Sequence, residues 1–158
     1  MTAADSDQTV RIEHHIAAAP HTVYRAWLEP GLVRRWMAPG EQEVTRVEIE
    51  ERPGGAWRTW KADNGVIVGG FDSELLELVP DQRLVFRWGF IGPHRRRGPS
   101  FDTRLTVTLR PESAGTTLTL VHERLAELAA AMPDIAANVG PGWQATLAKL
   151  DKTLASGG

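Results

Sequence analysis

The sequence predicts an α+β fold in which a curved, seven-stranded antiparallel sheet wraps around one long carboxyl-terminal helix. Seven segments alternate apolar with polar residues and are separated by Gly, Pro, Asn and Asp, which is typical of half-buried strands joined by turns. The final segment instead repeats apolar residues at helical spacing. Because the apolar face of such a sheet must be covered, we expect this helix and two short helices between the first two strands to pack against it.

The first strand and the two short helices begin the predicted domain. Apolar and polar residues alternate from Thr9 to Ala17, so this segment is predicted to be a strand with one buried side. Pro20 suits the first position of a helix, and a second short helix is predicted after Gly31 and before Pro39.

Six further strands are predicted, and the turn between two of them has a specific sequence. The pair Asn64-Gly65 predicts a tight hairpin, because both central residues of a type I′ turn adopt positive φ. The segments Trp57–Lys61 and Val66–Val79 are therefore predicted to pair.

The carboxyl-terminal helix is predicted from Pro141 to Ala155, with Pro141 at its first position. Its apolar stripe consists of Trp143, Leu147, Leu150 and Leu154. The preceding segment, residues 124–140, is interpreted either as a short lid helix over the mouth of a cavity or as a simple connector.

Composition narrows the class of protein. The chain has 158 residues, which predicts a single domain at residues 9–155 between a disordered tail at residues 1–8 and a short tail at residues 156–158. Lys and Arg number 18 against 20 for Asp and Glu, so no nucleic-acid partner is expected. The absence of Cys excludes disulfides and cysteine-ligated metals.

Because the chain has neither a signal-like start nor an apolar run long enough to cross a bilayer, we expect a cytoplasmic protein without a membrane span.

Several motifs, in order along the chain, resemble the START-like, birch-pollen-allergen-like superfamily, also called SRPBCC. They are residues 19–30 (APHTVYRAWLEP), 36–40 (WMAPG), 52–57 (RPGGAW), 77–86 (ELVPDQRLVF) and 115–120 (GTTLTL). The resemblance is especially to the branch of heat-shock-protein ATPase activator homologues and extends over nearly the whole chain. It implies the helix-grip fold, whereas the functions found on that fold are varied.

Strand alternation and helical spacing place a set of mainly aromatic side chains on the inner face of the sheet and on the last helix. Large apolar rings with few polar groups are typical of pockets for small hydrophobic molecules, and equally of a filled core. The predicted ligand-binding residues are Trp36, Trp57, Phe71, Phe86, Trp88, Phe101, Leu105, Leu120, His122, Trp143 and Leu147. Trp60 has the opposite parity and is interpreted as covering an edge or an interface, in a monomer or a homodimer.

His122 is the candidate for chemistry among the inward side chains. A histidine titrates near neutral pH, so it could donate a hydrogen bond to a ligand carbonyl or act as a general base. The alternative is a core histidine held by a backbone group or by water. His14 is also inward by parity and is interpreted as structural, and a paired histidine site is not expected.

Three functions from different classes are considered. The first is binding of a small hydrophobic or aromatic molecule between the sheet and the last helix, with His122 as polar anchor. The resemblance implies two others: a polyketide cyclase- or dehydratase-like enzyme in which His122 moves a proton, and a co-chaperone-like module whose basic loop, His94 to Arg97, meets an acidic protein surface. The chain contains no common catalytic motif, and no metal site or cofactor is expected.

Overall fold

The structure, a computed structural model, describes residues 9–37, 42–91 and 100–156. It confirms the predicted α+β architecture, with a long last helix packed on an antiparallel sheet. The elements in chain order are β1 Val10–Ile16, α1 Pro20–Ala26, α2 Pro30–Trp36, β2 Glu43–Ile49, β3 Ala56–Asp63, β4 Val66–Val79, β5 Arg83–Ile91, β6 Ser100–Glu112, β7 Gly115–Glu123, α3 Ala126–Ala131, α4 Pro133–Ala137 and α5 Val139–Ser156.

All seven strands of the described residues form one sheet in the order β1-β7-β6-β5-β4-β3-β2. Every neighbouring pair is antiparallel, and the first strand lies beside the last, with Val10 opposite His122. The hairpin predicted at Asn64-Gly65 is confirmed, since it joins β3 to β4 and its two residues have φ of 51° and 81°. Alternation along each strand then decides which side chains face the helices.

The two short helices pack against different strands of the sheet. α1 begins at Pro20, as predicted, and contacts β6 and β7, whereas α2 contacts β2. α2 begins at Pro30, two residues earlier than the predicted start after Gly31. A proline at the first helical position loses no intrahelical hydrogen bond, because that N–H has no partner in any helix.

The last helix is longer than predicted. α5 begins at Val139, two residues before the predicted start at Pro141, and it ends at Ser156. Pro141 still lies in the first turn, where its missing N–H leaves no bond unmade. The predicted amino-terminal tail, residues 1–8, and the last two residues of the predicted carboxyl-terminal tail lie outside the described residues.

The segment interpreted as a single lid helix or a connector forms two short helices, α3 and α4, so the expectation of one helix was wrong. Pro133 explains the break, because a proline disfavours the helical conformation of the residue before it. Met132 accordingly has φ −139° and ψ 72°, while its N–H still donates to the carbonyl of Leu128 at 2.7 Å. No helix in the described ranges is long and apolar enough to cross a membrane.

The outer face of the sheet is polar. Arg58 Nε lies 3.0 Å from Asp72 Oδ1 across β3 and β4. Trp60, the tryptophan with opposite parity, is partly buried, and its ring lies 4.9 Å from the guanidinium carbon of Arg46. The arginine therefore covers a ring that would otherwise face water.

Candidate ligand-binding site

A cluster of contacting aromatic rings fills the space between the inner face of the sheet and α5. Trp88 lies within it, with ring centroids at 4.9 Å from Trp57, 4.6 Å from Phe71, 5.3 Å from Phe86 and 5.4 Å from Trp143. The ring planes are tilted or perpendicular to one another, the arrangement that aromatic quadrupoles favour. We call this group, together with Trp27 and Trp36, the aromatic cluster.

Most of the residues predicted to bind a ligand are buried in this region. The following have exposed fractions between 0% and 6%: Trp36, Trp57, Phe86, Trp88, Leu105, Leu120, His122, Trp143 and Leu147. Phe71 is only partly buried and packs against them. Phe101 lies on β6 opposite Phe90, but its side chain lies outside the described residues. At such low exposure the nine buried residues form a closed, packed interior.

The sequence-based set omitted Trp27, although its ring is part of the cluster. The residue follows α1 directly, is fully buried, and has its ring centroid 4.8 Å from that of Trp36 and 5.9 Å from that of Trp143. In the sequence, Trp27 follows Val23 by four residues, which is the spacing of one helix face and indicates a buried residue. It did not show that α1 delivers the ring to the same place as the sheet residues.

The indole N–H groups of the cluster are not all satisfied. Trp36 Nε1 donates to the carbonyl of Ala26 at 3.0 Å, and Trp57 Nε1 donates to the carbonyl of Trp27 at 2.9 Å. The buried Nε1 atoms of Trp27 and Trp88 have no acceptor among the described residues. A buried donor without a partner costs about 1–3 kcal/mol, so the cluster contains two unused donors in an otherwise apolar environment.

His122 belongs to a chain of hydrogen bonds that links α5 to the sheet. Trp143 Nε1 donates to His122 Nδ1 at 3.0 Å, and His122 Nε2 lies 2.7 Å from Thr103 Oγ1. An indole nitrogen can only donate, so Nδ1 accepts and the imidazole proton is on Nε2. The Thr103 hydroxyl in turn donates to the carbonyl of Trp88 at 2.8 Å. Each donor in this chain therefore has a defined acceptor. Trp143 donates to His122, His122 donates to Thr103, and Thr103 donates to the Trp88 carbonyl.

Burial determines the charge state of this histidine. His122 is fully buried, and desolvation lowers its pKa from 6.5 to about 3. The neutral imidazole that the hydrogen-bond chain requires is thus the stable form at neutral pH. Both of its ring nitrogens are engaged by Trp143 and Thr103, so His122 connects the last helix to β6.

We predict that His122 makes the protein less stable in mild acid. Its pKa is lower in the folded than in the unfolded state, so below pH 6.5 the unfolded chain binds the extra proton and stability falls as the pH falls towards 3. The contribution is about 1.4 kcal/mol per pH unit. Urea unfolding between pH 6 and pH 4 should therefore show a shallower decline in His122→Gln than in the unmodified protein.

The control for this prediction is His15→Gln, because His15 lies on β1 with half of its side chain exposed and only a 3.9 Å approach to Glu112. This variant should keep the slope of the unmodified protein. Equal slopes in all three proteins would show that His122 titrates normally in the folded state and is not buried as described.

The other inward histidine has a structural contact, as its parity suggested. His14 Nε2 lies 2.9 and 3.0 Å from the two carboxylate oxygens of Asp151, which joins β1 to α5. In the antiparallel register His14 is opposite Leu118, whereas His122 is opposite Val10. The two histidines are therefore separated along the strands and do not form a paired site.

A surface groove of about 820 Å³ lies away from the aromatic cluster, beside the turn between β4 and β5. It is lined by Ala19, Pro20, His21, Val79, Asp81, Gln82, Arg83, Thr108, Leu109, Arg110, Pro111 and Thr119. Its basic side chains are paired with carboxylates, including His21 with Asp81 at 2.9 Å and Arg110 with Glu112 at 3.3 Å. The groove therefore lacks an uncompensated charge with which to select a ligand.

The basic loop predicted to meet a protein partner, His94 to Arg97, lies outside the described residues.

Known proteins share the fold of this chain. Residues 17–155 match the family described as "Activator of Hsp90 ATPase homolog 1-like protein". The chain belongs to this family. The resemblance based on the sequence motifs is thus confirmed for the family. Comparison with the curated proteins found no match.

Solved structures of other proteins show the same fold. Protein CV1439 from Chromobacterium violaceum is 30% identical, with a TM-score of 0.74 over 92% of this chain and 95% of that one. The AHSA1 protein from Silicibacter pomeroyi is 20% identical, with a TM-score of 0.77 over 95% and 99%. DynU16, a protein in the dynemicin biosynthetic locus, is 25% identical, with a TM-score of 0.69 over 95% of this chain and 48% of that one. None of these descriptions states a ligand.

Proposed function

We propose that this chain binds a small hydrophobic or aromatic molecule between the inner face of the sheet and α5. The observation that carries the proposal is the pair of buried indole N–H groups, on Trp27 and Trp88, that lack an acceptor within the described ranges. A guest ring would make edge and offset contacts with the aromatic cluster. An acceptor oxygen on the bound molecule would accept a hydrogen bond from one of these two N–H groups. The ligand-free protein does not make this stabilising bond within the described ranges.

The residues proposed to contact the guest are the predicted set together with Trp27. Because they are packed closed, the guest must separate rings that now touch, and α3 and α4 are the elements proposed to move. These helices expose most of their residues and are anchored by Leu125 and Leu128, which are 2% and 0% exposed. Elements with few buried contacts open at the lowest free-energy cost.

His122 is proposed to position Trp143 rather than to act as the polar anchor or as a general base. Either of those roles would first break its bond to Trp143 or to Thr103. Its lowered pKa, about 3, also makes it a weak proton acceptor at neutral pH. The cyclase-like alternative therefore lacks a free base at this position. Trp88, with its unused N–H, takes the place of His122 as the proposed anchor.

The relatives are compatible with a small-molecule role. DynU16 is described as a protein of a biosynthetic locus, and a cavity for a small molecule on the shared fold agrees with that setting. A chaperone partner, which the family description suggests, is the alternative that the experiment must separate. No contact within the described ranges favours it.

A panel of fatty acids, aromatic polyketides, flavonoids and sterols tests the proposal by thermal shift. A ligand at 100 times its dissociation constant adds about 2.7 kcal/mol, which for this size of domain raises the melting temperature by roughly 5–11 °C. In Trp88→Phe, which keeps a ring and removes the N–H, the affinity for a hit that carries an acceptor oxygen should fall about 3- to 10-fold.

The matched control is Trp60→Phe on the outer face, which should leave the affinity unchanged. Absence of a shift with every class of compound would contradict ligand binding. Capture of a chaperone at low salt, together with a changed chaperone ATPase rate, would then support the interaction module instead.

A further inference from the structure

Lys61 lies on the inner face of the sheet although its side chain carries a charge. It shares the parity of Trp57 and Thr59 on β3, both of which are fully buried. Its neighbours in register are Val44 on β2, which is 6% exposed, and Gly69 on β4. Because glycine has no side chain, the position opposite Lys61 is not filled from β4.

The ammonium group of Lys61 has no counter-ion within the described ranges. Its Nζ lies 4.6 Å from the centroid of the Phe71 ring, and this contact is its sole polar or electrostatic partner there. Partial burial lowers its pKa from 10.5 to about 8. Glu43 on β2 adjoins Val44, the residue opposite Lys61, and Asp63 lies two residues further along β3, and neither forms an ion pair with Lys61.

Two further unmatched groups belong to the same end of the inner face. Phe71, beneath the Lys61 ammonium, contacts the Trp88 ring at 4.6 Å, and the Trp88 N–H has no acceptor in the part of the chain that the structure describes. Gln42 precedes β2 with the parity of Val44, and its buried Oε1 also has no partner among residues 9–37, 42–91 and 100–156. This end of the face thus combines one positive charge and one indole donor with aromatic rings.

We propose that Lys61 recognises the carboxylate of an aromatic acid whose ring packs against Phe71 and Trp88. The inference rests on the proposed function and specifies the charge of the ligand. One ammonium balances one negative charge, and the ammonium and the indole N–H supply donors for the two oxygens of a carboxylate. A phosphate monoester carries more charge and more acceptors than these two groups can satisfy.

Titration calorimetry with 2-naphthoate and the neutral 2-naphthamide separates the charge from the ring. At pH 7 the unmodified protein should bind the acid at least 10-fold more tightly than the amide. Lys61→Met, which keeps the length of the side chain, should lose this preference and bind the amide within threefold of the unmodified affinity. Lys152→Met on the exposed side of α5 is the matched control and should keep the preference.

The pH dependence of the unmodified protein provides a second measurement that needs no variant. Only the ammonium form of Lys61 attracts a carboxylate, so affinity for the acid should fall about 10-fold between pH 7 and pH 9, since the pKa of the free group is about 8. Affinity for the amide should stay constant.

The outcomes distinguish the two proposals. Equal affinity for the acid and the amide, or a preference that survives in Lys61→Met, would overturn the assignment of Lys61 and leave the proposed ligand site in place. Failure to bind naphthoate would overturn it as well, whatever neutral compounds bind. Failure of every compound, charged or neutral, would overturn both.

Discussion

Replacing Trp143 with alanine is expected to lower the free energy of unfolding by about 3–5 kcal/mol. The side chain is 6% exposed and its ring contacts Trp27 at 5.9 Å and Trp88 at 5.4 Å. Truncation leaves a cavity in the aromatic cluster and removes the donor to His122 Nδ1 at 3.0 Å. Urea unfolding monitored by far-UV circular dichroism measures the change without depending on tryptophan fluorescence.

Two further variants accompany this prediction. The first separates the loss of the hydrogen bond to His122 from the loss of the ring, and the second is a control on the exposed side of α5. Trp143→Phe keeps an aromatic ring but leaves His122 Nδ1 without its donor, and we expect it to cost about 1–3 kcal/mol. Gln144→Ala changes the adjacent exposed position of α5 and should cost less than about 0.5 kcal/mol. A loss below about 1 kcal/mol for Trp143→Ala would show that the ring is not packed in the cluster.

Gly55→Ala is expected to destabilise the fold by about 3 kcal/mol, because the loop between β2 and β3 leaves no room for a side chain. A Cβ at Gly55 would lie 2.0 Å from the carbonyl oxygen of Glu50 and 2.9 Å from that of Arg52. Both obstacles are backbone atoms, so no rotation of a side chain relieves them. The Gly55 carbonyl also accepts from the N–H of Leu75 at 2.8 Å, so a shift of the loop would disturb β4.

Gly31→Ala is the matched control for this substitution. Gly31 lies in α2, and a Cβ there would meet no atom within 4 Å. Alanine is the better helix former, so this variant should be neutral or up to about 1 kcal/mol more stable. Equal melting temperatures for Gly55→Ala and the unmodified protein would show that the loop adapts and that its glycine is not required sterically.

The fold was predictable because each element depends on a local pattern. Alternation placed Leu105 and Leu120 on the inner face, and both are fully buried. Asn64-Gly65 identified a hairpin through the positive φ that both residues adopt. The boundaries were less accurate, since α5 begins before Pro141 and a proline is tolerated anywhere in the first turn of a helix.

The sequence predicted most of the residues of the candidate site but not the contacts between them. Parity gave His122 an inward side chain, but its partners, Trp143 and Thr103, lie on other elements. Lys61 was overlooked although it has the same parity as Trp57, because a lysine on a strand is usually exposed. Its unmatched charge becomes evident only when the strands on either side are in register.

The periodicities of the sequence, 2 for strands and 3.6 for helices, were sufficient to specify most of the elements and their buried faces, while the resemblance of its motifs indicated the family. They hold because side-chain direction follows from backbone geometry within a few residues. Three features required the tertiary structure: the closed packing of the aromatic cluster, the hydrogen-bond chain through His122, and the lack of a counter-ion for Lys61 among the described residues. These features depend on distances and volumes between segments far apart in the chain, for example the 21 residues that separate His122 from Trp143, and no local pattern encodes such distances.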